Sequence, residues 1–169
     1  RDRGCEPGEL SRDELLGLMS FLACRPLDGA LASLLFEDMQ FDGADSRAVD
    51  WGDEITAEAK AAAPVIVIGC GESGIFAGIR LTQAGLPFTI LEKNGGPGGT
   101  WWENRYPGAR VDVASHQYCY SFEPADHWSE YYCQQPELRA YFTRVVDKYG
   151  LRPHCRFGTT VRSLTWDDE

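Results

Sequence analysis

Apolar positions recur along this chain with a helical period before residue 60 and with a strand–helix–strand rhythm after it. Ser11-Arg-Asp-Glu14 has the form of a capping box, and Leu15, Leu16, Leu18, Met19 and Leu22 follow at helical spacing, which predicts a first helix over about 12–23. Arg25-Pro26 ends it, because the residue before a proline is driven out of the α region. Leu31, Leu34, Leu35 and Met39 share one face of a second predicted helix within 27–40, closing near Asp42-Gly43. Two short helices bury little on each other, so they are expected to dock on the following domain or on a partner subunit. Residues 43–63, with Asp45, Asp50, Asp53 and an alanine-rich end, read as a partly helical linker anchored by Trp51.

From Pro64 the pattern changes. Val65–Ile68 is a continuous apolar run, expected of a parallel strand covered on both faces. Gly74, Gly78 and Leu81 line one side of a helix ending near Gly85, Leu86-Pro87 breaks it, and Phe88–Leu91 is the second strand. Roughly 40 residues then pass before the next helix. Five aromatics from Trp101 to Tyr120 argue against disorder there. Pro136–Gly150 is the clearest helix, with Leu138, Tyr141, Phe142, Val145, Val146 and Tyr149 as its stripe. Arg156–Val161 is read as a third parallel strand and Leu164–Trp166 as the start of an antiparallel excursion. The expected fold is α/β: a Rossmann-like parallel βαβ sheet, incomplete, over 64–169, preceded by a helical extension over 1–42 and the linker over 43–63.

Composition narrows the function. With 169 residues and 43% hydrophobic content, the chain can bury one core. Its net charge is −10, of which residues 1–60, with 14 acidic and 6 basic side chains, hold −8. An acidic chain without a Lys/Arg stripe is a poor ligand for nucleic acid or an anionic membrane. No apolar run approaches the roughly 18–20 residues that cross a bilayer, and a soluble, cytoplasmic protein is expected. A first residue of Arg1 is expected of a processed product or a fragment. The six cysteines, Cys5, Cys24, Cys70, Cys119, Cys133 and Cys155, have irregular spacing and no C-x-x-C, so free thiols and no zinc site are expected. His116, His127 and His154 are scattered.

The chemistry concentrates at Gly69-Cys-Gly-Glu-Ser-Gly74, a G-x-G-x-x-G turn between strand and helix. Gly69 suits the tight turn, Gly71 a close approach of phosphate to backbone, and Gly74 close packing of helix on strand. Glu92 ends the second strand 23 residues after Gly69, where a carboxylate accepts ribose hydroxyls and repels a 2′-phosphate. FAD or NAD is therefore expected there in preference to NADP. The long loop that follows does not fit a plain NAD domain.

The glycine turn, Glu92, Gly98-Gly-Thr-Trp101, Asn104-Arg-Tyr-Pro-Gly-Ala-Arg110, Asp112 and Tyr118-Cys-Tyr-Ser-Phe122 resemble, in order and spacing, the FAD-binding start of Baeyer–Villiger monooxygenases. Gln135-Pro-Glu-Leu and Phe157-Gly-Thr-Thr-Val161 continue the likeness over about 64–166. Trp101-x-Glu-Asn104, Arg110-Val-Asp112 and Ser115-His116 look most like the 4-hydroxyacetophenone monooxygenase group, which also carries a helical N-terminal segment. The resemblance implies a flavin reduced by NADPH, a C4a-peroxyflavin formed with dioxygen, and oxygen inserted beside a ketone carbonyl to give an ester or lactone. It implies that Gly69, Gly71, Ser73, Gly74, Glu92, Lys93 and the backbone around Val161 hold the adenosine and pyrophosphate of FAD. Gly99, Thr100, Trp101, Asp112 and Tyr118 would line the flavin side, and Arg110, Val111 and Asp112 would also meet NADPH. Asp112 is the candidate catalytic residue, positioning flavin and nicotinamide; a cap on the Arg110 backbone is its other reading. Glu103 and Ala114 depart from the family pattern. No second G-x-G-x-x-G and no later family signature occur, so these residues alone are expected not to turn over. The remaining alternatives are an N- or S-oxygenating flavin monooxygenase, an NAD-binding dehydrogenase domain, and a nucleotide-binding or oligomerisation module that pairs through its N-terminal helices.

Overall fold

A computed structural model describes residues 10–39, 45, 48–52 and 55–167. The chain divides into two compact units, Arg1–Arg47 and Ala48–Glu169.

The first unit contains α1 (Arg12–Leu22) and α2 (Gly29–Met39). Ser11 caps α1 as its sequence predicts: its hydroxyl accepts the Glu14 N–H at 3.3 Å, and the Glu14 carboxylate accepts the Ser11 N–H at 2.8 Å. The leucine stripe of α1 is not a core, since none of its residues is buried and Phe21 and Leu22 are each 79% exposed. Among the described side chains of α2 the buried ones are Ala32 and Phe36, one turn apart, while Leu34 faces solvent. The Arg12 guanidinium lies 4.6 Å from the centre of the Phe36 ring and reaches the Ser33 hydroxyl. The expected close of the second helix at Asp42-Gly43 lies outside the described residues, as do Cys5 and Asp53.

The second unit begins at Ala48, so part of the stretch read as linker belongs to it. Trp51 donates its indole N–H to the Ala84 carbonyl at 2.8 Å, and Lys60 of α3 (Ala57–Ala61) lies over the Trp51 ring. Strand β1 (Val65–Ile68) pairs in parallel with β2 (Phe88–Leu91) from Val65–Phe88 to Ile68–Leu91. Strand β3 (Cys155–Arg156) pairs in parallel with β2 at Ile90–Cys155 and Leu91–Arg156, giving the order β1-β2-β3. Helix α4 (Glu72–Ala84) crosses from β1 to β2, and α6 (Gln135–Lys148) packs against α4. Ile75, Ile79, Ile90, Leu138, Phe142, Val146 and Leu151 form the core between them. The expected α/β parallel sheet is thus present, with two local corrections.

β1 is not covered on both faces: it forms the edge of the sheet, and Ile66 and Ile68 remain 59% and 53% exposed. The third strand is also shorter than the predicted 156–161. Gly158 takes φ +68°, a left-handed turn that swings the chain out of the ladder. Two bonds still follow, from the Gly158 N–H to the Asn94 carbonyl and from the Thr159 N–H to the Glu92 carbonyl. Leu164–Trp166 forms no strand.

The loop from Asn94 to Gln134 is ordered by side chains. It contains α5 (Thr100–Glu103) and an antiparallel bridge between Arg110 and Gln134. Ser115 is its buried knot, its hydroxyl accepting the Cys133 N–H at 2.8 Å and donating to the Tyr131 carbonyl. Tyr141 of α6 accepts the Tyr120 N–H at 2.9 Å, and Tyr120 donates its hydroxyl to the Glu72 carbonyl at the start of α4. Burial pushes the Tyr141 hydroxyl up to about 12, so it stays a neutral donor to the Glu123 carbonyl. No helix among the described residues is long and apolar enough to cross a membrane.

Candidate functional site

The β1–α4 junction and the start of the long loop meet as two glycine turns pressed together. A Cβ on Gly99, which has φ +52°, would stand 2.9 Å from the Gly71 Cα. A Cβ on Gly74 would collide with the Gly69 carbonyl oxygen, so no side chain fits where α4 leaves β1. The Gly98 N–H donates to the Cys70 carbonyl at 2.9 Å and stitches the two turns.

Glu92 fastens this arrangement to β2. Its carboxylate is 3% exposed and accepts the Cys70 N–H with one oxygen and the Asn94 N–H with the other, both at 2.7 Å. The sequence marks this residue as a ribose acceptor; the structure adds that it organises the turn itself. One lone pair on each oxygen remains for a ligand.

Two adjoining clefts of about 350 and 370 Å³ open here and share Ile68, Gly69, Gly71, Gly99 and Thr100. The first continues past Glu92 and Lys93 to Thr159, Thr160 and Val161. The second continues past Ser73 and Gly74 to Trp101 and Tyr118. Together they present the free N–H groups of the first turn of α4, a carboxylate and an aromatic wall. Trp101 donates its indole N–H to the Tyr118 hydroxyl at 3.2 Å, with the rings edge to face. Burial, against the opposing pull of that hydrogen bond, holds the Tyr118 hydroxyl above its ordinary value and therefore neutral.

Of the residues singled out in the sequence, Gly69, Gly71, Ser73, Gly74, Glu92, Lys93, Gly99, Thr100, Trp101, Tyr118 and Val161 line one or both clefts. Arg110, Val111 and Asp112 do not. Val111 is buried in the core, Arg110 pairs with Glu130 at 3.1 Å, and the Asp112 side chain is exposed. Thr159, Thr160, Glu72 and Glu103 also line the clefts without having been singled out as ligand contacts. Glu103 pairs with Lys93 at 2.9 Å and accepts from the Asn94 amide at 3.0 Å, which ties α5 to the end of β2 across the first cleft. That departure from the family pattern at 103 was the sequence signal available for it. Among the described residues no three His, Cys, Asp or Glu side chains group as a metal site.

The NAD(P)-binding Rossmann-like domain family matches residues 67–134. A Baeyer–Villiger monooxygenase of Streptomyces coelicolor is 45% identical over 106 residues, covering 62% of this chain and 20% of that protein. An uncharacterized monooxygenase of Sinorhizobium fredii is 30% identical over 162 residues, 95% of this chain and 23% of its own length. Similarity to that protein therefore extends into the N-terminal helices. A crystal structure of OTEMO in complex with FAD and NADP matches at TM-score 0.60 and 37% identity, over 64% of this chain and 21% of that one. The chain spans about a fifth of the length of the curated relatives it matches.

Proposed function

We propose that the α/β unit holds the adenosine and pyrophosphate end of FAD, as part of a Baeyer–Villiger-type flavin monooxygenase that uses NADPH and dioxygen to insert oxygen beside a ketone carbonyl. One observation carries this reading: the first turn of α4, the Glu92 carboxylate and the Thr100–Trp101 turn open into the same joined clefts. The kinship with Baeyer–Villiger monooxygenases over this stretch supports it.

The glycine pair at 71 and 99 leaves a backbone cradle that side chains would fill, which fits a pyrophosphate. The N–H groups of Ser73 and Gly74 would donate to it, aided by the positive end of the α4 dipole. Glu92 would accept from the ribose hydroxyls while keeping its two backbone bonds, and its charge would disfavour a 2′-phosphate in this cleft. When bound, the flavin supplies the electron and oxygen chemistry. Trp101 and Tyr118 wall the cleft on the flavin side and exclude water there, with Tyr118 held as a neutral hydroxyl. Arg110, Val111 and Asp112 lie on the adjoining loop, and we place the exposed Arg110 and Asp112, with only the backbone of the buried Val111, on the approach of NADPH, where the Asp112 carboxylate would position the nicotinamide. The N-terminal helices would pair with a second copy of the chain. The protein is taken to work in the cytoplasm.

Calorimetric titration of the chain with FAD, FMN and NADP⁺ tests the reading. FAD should bind at least ~10-fold more tightly than FMN, which lacks the adenylate. FMN binding as tightly as FAD, or NADP⁺ displacing FAD, would overturn it.

A further inference from the structure

Cys70 and Cys155 are 85 positions apart in the chain, yet their sulfurs lie 4.0 Å from each other behind the glycine turn. Cys70 is fully buried at the end of β1, and Cys155, in β3, is half-buried. Neither thiol faces the clefts, so the proposed flavin site does not use them. The Cys70 backbone is nevertheless central to that site: its N–H is held by Glu92 at 2.7 Å and its carbonyl by the Gly98 N–H. A movement of the Cys70 sulfur is transmitted to both.

We propose that Cys70 and Cys155 are an oxidisable thiol pair, which a hydroperoxide converts to an intramolecular disulfide that disturbs the adenosine side of the cleft. Cys155 is the attacking sulfur. The hydrogen bond shared with Cys70 and then the Arg152 guanidinium hold its pKa below the ordinary value, although its thiol also reaches the Leu151 carbonyl at 3.3 Å, whereas the Cys70 thiol is held protonated by the shared bond and by burial. The Cys155 thiolate attacks one peroxide oxygen, an S–O bond forms as the O–O bond breaks, and the departing hydroxide takes a proton to become water. The sulfur, now a sulfenic acid, has lost two electrons to the peroxide. The Cys70 sulfur then attacks it, the S–S bond forms as the S–O bond breaks, and the Cys70 proton leaves with the hydroxide as a second water. Two thiols and one hydroperoxide thus give one disulfide, water and the alcohol or second water of the peroxide.

A disulfide needs its sulfurs about 2.05 Å apart, so closure from 4.0 Å draws the two sulfurs together by roughly 2 Å. That displacement falls on the turn that Glu92 and Gly98 pin. The second half of the proposal, its effect on flavin, rests on the function proposed above; the first half does not.

The test treats the full chain with hydrogen peroxide, blocks remaining thiols with iodoacetamide and maps tryptic peptides by mass spectrometry. Peptides 61–80 and 149–156 should be recovered joined, and released by dithiothreitol, with Cys24 still alkylated. FAD affinity should fall roughly tenfold on oxidation and return on reduction, and Cys155→Ser should be insensitive to peroxide while binding FAD as the reduced chain does. Recovery of peptide 61–80 with Cys70 alkylated after Cys155 has been oxidised overturns the thiol pair. A joined pair with unchanged FAD affinity overturns the coupling to the cleft. If the peptides join but neither form binds FAD, the flavin reading fails and the thiol pair stands.

Discussion

Glu92→Gln separates two duties that fall on one carboxylate. The native group accepts two backbone N–H bonds at 2.7 Å, one on each oxygen, and it is almost wholly buried. An amide has one carbonyl oxygen and one NH₂, so either the Cys70 or the Asn94 N–H must face a donor. Leaving a buried N–H unsatisfied costs about 1–3 kcal/mol, and the surviving bond loses its charge assistance. The variant should therefore lose about 2 kcal/mol before any nucleotide is added, which for a unit of this size lowers the melting temperature by roughly 5–10 °C. Thermal unfolding followed by circular dichroism without ligand measures this, and a parallel titration measures FAD. A melting temperature within ~1 °C of the parent, with FAD binding abolished, would refute the reasoning by showing that Glu92 acts on ligand alone.

Gly74→Ala should destabilise the chain by about 1–3 kcal/mol despite a better helix former, because its Cβ meets the Gly69 carbonyl. Gly17→Ala, in α1 with nothing near its Cβ, should instead stabilise α1 by up to ~1 kcal/mol; urea unfolding of both variants checks the contrast. Lys148, first through its hydrogen bond, holds the Glu123 carboxyl below its ordinary value, so its folded pKa is depressed. The stability this supplies is complete above the unfolded pKa and is lost as pH falls through the folded one. Glu123→Gln should therefore flatten the acid limb of the stability curve below about pH 4.5, and an unchanged limb would contradict the assignment. Phe21→Glu with Leu22→Glu, both on exposed positions of α1, should leave the melting temperature unchanged and abolish any self-association seen by light scattering.

Short-range signals carried the fold furthest. The Ser11–Glu14 cap, the apolar run of β1 and the stripe of α6 are each written within a dozen residues, and each forms the expected element. Phe157–Val161 has the composition of a strand, but Gly158 at positive φ turns the chain away and the third strand ends at Arg156. In α2 a leucine stripe outweighed Ala32 and Phe36, since a hydrophobic count does not say which face finds a neighbour. At the site, glycine spacing and Glu92 mark the clefts because the backbone itself imposes those residue types. Contacts between distant segments have no such local signature. The Glu92 bond to the Cys70 N–H, the Lys93–Glu103 clamp and the Cys70–Cys155 pair emerge only when the three strands pair and the loop folds back over β2. Asp112, chosen for its place in a motif, lies on an exposed stretch outside both clefts.

Amide chemical-shift mapping of the chain with ADP tests most directly whether these clefts hold the adenosine end of a dinucleotide. The N–H signals of Gly71, Ser73, Gly74, Lys93 and Thr160 should shift together and saturate along one binding curve. Shifts confined to the separate cleft beside Glu123, Arg144 and Lys148, or no shifts at millimolar ADP, would contradict it.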